Sequence, residues 1–521
     1  MPQILHLPES AIQHQPTVAM PQRLWGRIAL GTAAISVLLI GIWFRVEQLD
    51  HVPGLNGDEA WSGIQAIRLL HGESVAWRTP TGNPLNVIFW GPLVALHAIF
   101  SPSIALLRTV SVVSGLLAVG LNFWLCRRTF DRTTAIISTV LLTVLPVMIA
   151  YSRFAWDASQ TPLASVLVVY ASLAAKRSVL AMGTSLAAAI LIHPTNLFLT
   201  PIVLASATPL ERIRISRRMA FSAVLIVATI LFSYRTPSEL GEFLFNLLRL
   251  FSGSTVYQFI SGSVLGSDVT VFDLVTLAAF LLAFAGEASR SKQAVDPRDA
   301  RLALGTVASL VAFFAVAGPR GVQPHLERYA IWCVVPLVLL ASRGAAWWLE
   351  KSAARQSRMQ TAMLGFAALL LVGFQVHYFD PFATTGGNSH LAFRTAEVDP
   401  KQAALMKIQA AASCLPQATI VSQCWWTRLP MQYLAAENSR LRVVDRLPSG
   451  ISSSTAWFVE LAGSDEEMCI SKTLANSPSG HLRSVSTDRA GRAAVVVYAP
   501  RTNIDDSLKI FARPQFDKRA N

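Results

Sequence analysis

The chain has 521 residues, of which 52% are hydrophobic and only 14% charged, and its mean hydropathy is +0.44. Soluble globular proteins carry about 25% charged residues, so the composition excludes a soluble enzyme and indicates a polytopic membrane protein. The net charge of +13 does not indicate nucleic-acid binding, because no basic stripe with interleaved aromatics occurs. Most Lys and Arg before residue 380 fall instead in short clusters between apolar runs, as cytoplasmic loops do.

Residues 1–23 are expected to form a cytoplasmic tail, and the apolar run 24–44 an uncleaved anchor, since no small-residue cleavage site follows it. Further runs near the spanning length of about 17–25 residues occur at 104–126, 133–150, 161–175, 178–193, 194–210, 218–234, 269–286, 302–318, 329–343 and 360–377. Together they predict about eleven spans.

The segment 84–100 decides the topology. If it lies in the interface, six basic clusters share one face: Arg23/Arg27, Arg127/Arg128/Arg132, Lys176/Arg177, Arg212/Arg214/Arg217/Arg218, Arg290/Lys292/Arg298/Arg301 and Arg343/Lys351/Arg355/Arg358. The positive-inside rule makes that face the cytoplasm. Full crossing by 84–100 would move every later cluster outside, so the segment is read as juxtamembrane. The outer face then receives 45–103, 151–160, the turn at His193, 235–268, 319–328 and everything after 378.

Residues 380–521 alternate helix-like and strand-like patterns. Helices are predicted at 400–413, 425–437 and 464–476, and strands at Ala418–Val421, Leu441–Val444, Ala456–Leu461 and Ala493–Tyr498. The fold class is therefore an all-α polytopic membrane domain, 24–379, followed by a soluble α/β domain, 380–521. Cys126 and Cys333 lie in spans. Cys414, Cys424 and Cys469 fall in the outer domain, a compartment that permits one disulfide among them, and the odd count leaves at least one free or paired elsewhere.

Four polar stretches on the outer face are candidates for chemistry. Asn56-Gly57-Asp58-Glu59 opens an amphipathic helix with Ala60, Trp61, Ile64, Ile67 and Leu70 on one side, closed by His71-Gly72. Its acids either start a helix or supply a carboxylate base, which must be ionised and within reach of a hydroxyl. In Tyr151-Ser152-Arg153-Phe154-Ala155-Trp156-Asp157, Arg153 either anchors the interface or clamps a phosphate, with Asp157 orienting it or binding acceptor. His193-Pro194-Thr195-Asn196 reads as a turn or a binding position. Arg320 and His325-Leu326-Glu327-Arg328-Tyr329 place Arg328 and Tyr329 where a lipid phosphate could be held; snorkelling or an Arg–Glu pair is the alternative. No motif of metal-ligand spacing such as His-x-x-x-His occurs.

The order of these features resembles the GT-C superfamily of integral-membrane glycosyltransferases over roughly residues 24–345. Within it the chain looks most like the group of the aminoarabinose–lipid A transferases, the rhizobial lipopolysaccharide-sugar transferases and the protein O-mannosyltransferases. Asp58-Glu59-Ala60 through Leu69-Leu70-His71-Gly72 is the most specific part. Asn83-Pro84-Leu85 stands where the aminoarabinose transferases carry a Lys before a double proline, with Arg78 nearby as a substitute cation.

The resemblance implies transfer of a sugar from a polyprenyl-phosphate carrier to a lipid, glycan or protein acceptor, with inversion, on the non-cytoplasmic side of a bacterial inner membrane. Asp58 and Glu59 take the catalytic positions. Arg78, Tyr151, Arg153, Asp157, His193, Glu327, Arg328 and Tyr329 take substrate-binding ones. A divalent metal is admitted without assigned ligands. A transporter or flippase for lipid-linked sugars is the alternative, and a non-catalytic relative that recruits partners a third. Reporter fusions at Ala174 and Gly386 should give cytoplasmic and external signals respectively; the opposite pair would invert the face of every site residue.

Overall fold

A computed structural model describes residues 19–80, 82–174, 178–207, 235–261, 267–291, 296–324, 326–351, 356–386, 399–475 and 480–501. The predicted span 218–234, most of the tail 1–23, the clusters Lys176/Arg177 and Arg212–Arg218, and Lys292, His325 and Arg355 lie outside the described residues.

The membrane part begins with α1 (Ala19–Val46), α2 (Gly57–Leu70), α3 (Val87–Ile99), α4 (Ile104–Thr129), α5 (Arg132–Val144), α6 (Pro146–Ser152), α7 (Thr161–Leu173), α8 (Val179–Ile192) and α9 (Thr200–Ala207). It continues through α10 (Pro237–Ser252), α11 (Ser254–Ser261), α12 (Ser267–Ser291), α13 (Pro297–Ala317), α14 (Val334–Lys351), α15 (Gln356–Phe374) and α16 (Asp380–Thr385). Among the described residues six helices are long and apolar enough to cross a membrane; α5 and α6, bent by 60°, make a seventh as one broken span. Pro146 opens α6 and leaves Leu145 at ψ 124°, because a residue before proline is driven out of the helical region. α3 has 13 residues with Pro92 inside it. At 1.5 Å per residue it reaches about 20 Å, short of a hydrocarbon core of about 30 Å.

Arg290, Arg298 and Arg343, from two of the basic clusters, lie at one end of the bundle. Arg343 pairs with Asp131 at 2.5 Å and with Asp299 at 2.9 Å, Arg290 pairs with Glu287 at 2.8 Å and also with Asp299, and Arg298 donates to the Thr129 carbonyl. The α2 loop lies at the other end, since α4 starts beside it and finishes at Thr129.

The C-terminal part contains α17 (Asp399–Ala411), β1 (Ala418–Val421), α18 (Trp425–Leu434), β2 (Leu441–Val444), β3 (Trp457–Leu461), α19 (Asp465–Ala475), β4 (His481–Thr487) and β5 (Ala493–Pro500). The sheet order is β2-β1-β3-β5-β4; β1 runs parallel to β2 and β3, while β5 is antiparallel to β3 and β4. Strand β4 is an edge strand that the sequence reading does not contain. The disulfide that the three outer cysteines would permit is not formed: all five cysteines are free, with Cys424 buried and Cys414 and Cys469 exposed.

One apolar cluster joins the two parts, combining Trp61 and Ile64 of α2, Trp90 and Leu93 of α3, Leu107 of α4, and Leu429 and Tyr433 of α18. Two glycines permit the approach. A Cβ at Gly63 would stand 2.4 Å from the Tyr433 ring, and one at Gly57 2.9 Å from the Trp425 ring. Substituting Gly63 with Val should therefore force Tyr433 away and lower the melting temperature of the purified protein in detergent; an unchanged melting curve would contradict this contact.

Candidate active site

Helix α2 is started by a reciprocal cap. The Asn56 side chain accepts from the Glu59 N–H at 3.0 Å, and the Glu59 carboxylate accepts from the Asn56 N–H. Glu59 then does more than cap. It is fully buried, accepts a forked pair of 2.9 Å hydrogen bonds from Arg108 of α4, and accepts from the Ala155 N–H at 2.7 Å. Arg108 spends its remaining donors on the Leu49 and Gly54 carbonyls. A carboxylate so engaged cannot also take a proton from a substrate, which corrects the catalytic expectation for Glu59: it positions.

Asp58, one residue earlier, points elsewhere. It is half-buried, and the Trp156 indole N–H donates to it. Burial pushes its carboxyl up to about 6; Asp157 and Glu59 add to the rise, and the Arg328 guanidinium opposes it. Asp157 is also raised to about 6 by burial, against the Ala158 N–H, which donates to it at 2.8 Å, and against Arg328.

Arg328 stands between these acids and an aromatic wall. Its guanidinium lies 4.8 Å from the Trp156 ring centroid and 4.9 Å from that of Tyr329, and it donates to the Tyr329 hydroxyl at 3.0 Å. His193 closes the other side, its ring 5.9 Å from that of Tyr329. Burial and the Arg328 charge push this imidazole down to about 4, so it is neutral at pH 7, and Nδ1 shares a 2.7 Å hydrogen bond with the Thr195 hydroxyl.

Four loops distant in sequence thus bring together Asp58, Asp157, His193, Arg328 and Tyr329. The other expected binding residues are placed differently. Arg153 is fully buried and donates to the Phe44, Glu47 and Val52 carbonyls, which corrects its assignment to a phosphate. Tyr151 is buried in the core, its ring stacked 6.4 Å from Trp156. Glu327 is fully buried. Arg78 lies exposed on a hairpin and donates to the Gly82 carbonyl at 2.9 Å.

Sequence reasoning passed over Trp156 and Arg108. Arg108 carried a signal, because a cation inside an otherwise apolar span requires a partner. Trp156 carried none beyond its place at a span end. Among the described residues no group of three or more His, Cys, Asp or Glu could hold a metal ion. The two acids face a guanidinium instead, so this donor set does not fit a divalent cation.

This helical bundle with a loop-helix acid and a C-terminal α/β part matches known architecture. ArnT from Cupriavidus metallidurans in the apo state superposes with a TM-score of 0.52 at 16% identity, covering 95% of this chain and 100% of that one. The chain has the GT-C fold. The same ArnT bound to undecaprenyl phosphate matches with a TM-score of 0.52 at 16% identity over 92% of this chain and 98% of that one. An oligosaccharyltransferase from Archaeoglobus fulgidus, in complex with Zn and sulfate, is 13% identical over 90% of this chain and 73% of its own, with a TM-score of 0.48. The model of the dolichyl-phosphate-mannose-protein mannosyltransferase family matches residues 88–235, a part of the GT-C fold running from α3 to the start of α10. No curated protein matches the chain in sequence.

The Glu59–Arg108 pair gives a stability test within this GT-C fold. Removing one partner of a buried pair costs about 3–5 kcal/mol, so Arg108→Met should yield little folded protein, and adding Glu59→Gln should recover part of the loss. The check is size-exclusion profile and melting temperature; a stable Arg108→Met variant would show that the pair is not buried.

Proposed function

We propose that the chain is a glycosyltransferase that moves a sugar from a polyprenyl-phosphate carrier to an envelope acceptor hydroxyl on the non-cytoplasmic face of a bacterial inner membrane. The observation that carries this reading is a half-buried Asp58 with its carboxyl near 6, set beside the Arg328 guanidinium in a GT-C fold. A general base works best with a pKa near the operating pH. At pH 7 Asp58 is mostly ionised yet still basic enough to take a proton.

The acceptor oxygen attacks the anomeric carbon while its proton passes to Asp58. The bond between that carbon and the phosphate oxygen breaks, and its electron pair leaves with the lipid phosphate, already a stable anion. A single displacement inverts the anomeric centre. Arg328 supports departure by charge-assisted, forked hydrogen bonds to the phosphate. We assign Asp157 to acceptor binding, and its charge holds Asp58 less acidic than Arg328 alone would make it. Neutral His193 and Tyr329 offer uncharged polar contacts to the sugar. Undecaprenyl phosphate, bound in the ArnT relative, is the carrier type this arrangement suits, and lipopolysaccharide or a related envelope lipid is the acceptor we favour.

A flippase is the rival. Coupled transport calls for ionisable groups near mid-membrane, whereas Asp58, Asp157 and Arg328 lie at loop ends, which favours transfer.

The sign of each charge gives the test. Transfer should fall as pH drops through about 6, as Asp58 becomes protonated. Asp157→Asn removes a neighbouring negative charge and should move that acid limb to lower pH. Arg328→Met removes the opposing positive charge, so it should move the limb to higher pH and weaken donor binding as well. Asp58→Asn should lower the rate by about 10²–10⁴-fold with donor binding retained. The measurement uses purified protein in liposomes with a polyprenyl-phosphate sugar and an envelope-lipid acceptor. Near-normal transfer by a folded Asp58→Asn variant returns Asp58 to a helix-start role, and translocation without transfer promotes the flippase.

A further inference from the structure

The loop that delivers Asp58 carries little secondary structure, yet its carbonyls are taken up by buried cations. Arg153 holds those of Phe44, Glu47 and Val52, and Arg108 holds those of Leu49 and Gly54. Both arginines belong to the membrane part. The next carbonyl, that of Leu55, is held by a cation from the other part of the chain. Lys401 of α17 donates to it at 2.8 Å. Its side chain reaches the loop three residues before Asp58, directly ahead of the Asn56 cap.

Lys401 is only 3% exposed, and among the described residues no carboxylate forms an ion pair with it. Burial holds its ammonium down to about 8. An unpaired ammonium is costly to bury, and tying two domains together does not require one, since the apolar contact around Trp61, Leu429 and Tyr433 already does so. A hydrogen bond from a charged donor is directional, as that contact is not, and stronger than one between neutral groups. What Lys401 adds over packing is a fixed position for one backbone atom.

We propose that Lys401 is a positioning residue for Asp58: through the Leu55 carbonyl, the C-terminal domain sets the register at which α2 presents its first-turn carboxylate to the acceptor hydroxyl. The proposal rests on the reading of Asp58 as the base. Lys401 touches no substrate and acts entirely through the loop. Its loss lets the cap residue Asn56, and with it Asp58, drift from the geometry of proton transfer, where displacement by about 1 Å can cost 10²-fold in rate.

A double-mutant cycle in the full-length protein, reconstituted in liposomes, tests this. K401M should lower kcat by about tenfold or more while KM for the donor stays within about twofold, because Arg328 is untouched. In the D58N background K401M should have no further effect, since a residue acting through Asp58 has nothing left to position. K401R, which keeps the charge but changes the reach, should recover part of kcat. Melting temperature in detergent shows whether each variant is folded; where K401M does not fold, K401R carries the same cycle. A wild-type kcat in folded K401M, or losses that multiply in the double variant, overturns the proposal alone. Wild-type protein that transfers no sugar overturns the glycosyltransferase reading and the proposal with it.

Discussion

The buried ion pair between Glu59 and Arg108 is the constraint on which the site depends. Taking two charges out of water costs several kcal/mol per ion, and their attraction offsets this only when the other polar valences are filled. Here they are filled: Glu59 accepts from Ala155 and from its own cap as well as Arg108, and Arg108 also donates to two loop carbonyls. Such a pair adds little net stability over a well-packed apolar pair. It does fix which elements meet, because any other arrangement leaves a naked charge in a low-dielectric interior. It joins α2, α4, the loop before α2 and the loop after α6 at one point.

Joining those elements places Trp156 and Asp157 beside Asp58. The two carboxylates of one dipeptide consequently live in opposite environments, and their roles separate. Glu59 is saturated with donors, whereas Asp58 accepts from the one indole N–H of Trp156, which lowers its proton affinity, while burial and the neighbouring charges of Asp157 and Glu59 raise it. Pairs of acids divided in this way are how one fold assigns structural and catalytic tasks to the same chemical group. Arg328 sets the upper limit of the effect. Its charge holds Asp157 below the value that burial would otherwise give, and Asp58 below the value set by burial and the charges of Asp157 and Glu59. A guanidinium resting on Trp156 and Tyr329 keeps its plane defined.

Much of this was legible in the amino-acid sequence, for reasons that differ by element. The start of α2 is local information: Asn56, Gly57 and Glu59 spell a capping box, and the apolar spacing after them gives the buried face. The α/β character of the C-terminal part is legible through continuous apolar runs such as Ala493–Tyr498. Strand β4 is not, because an edge strand buries only part of one face and His481–Thr487 carries mostly polar residues. Asp157, His193, Arg328 and Tyr329 stand out in the sequence as polar residues stranded at span ends. The failures share a cause. Arg153 looks like an interfacial phosphate ligand from its neighbours, but its partners are backbone carbonyls about a hundred positions earlier, and no side-chain pattern reports a carbonyl. Arg108 and Glu59 are 49 residues apart, so only the demand for a counter-charge in an apolar span could have linked them.

The elements of the C-terminal part are legible locally, but its contacts with the membrane part are not, and there the structure adds most. Its helix α18 lies on α2 at Gly57 and Gly63, and both glycines are explained by ring contacts from Trp425 and Tyr433. Tyr433 carries the contact deeper: its hydroxyl donates to the Ser103 carbonyl and shares a hydrogen bond with His97 of α3. One side chain of the domain thus reads the positions of α2, α3 and the start of α4 together. On the proposed reading of Asp58 as a base, its helix needs water kept off one side while the other stays open to an acceptor. The apolar cover of α18 on α2 meets the first requirement, and the half-exposed Asp58, Asp157 and Arg328 meet the second. The C-terminal part is thus packed on the very helix that carries Asp58.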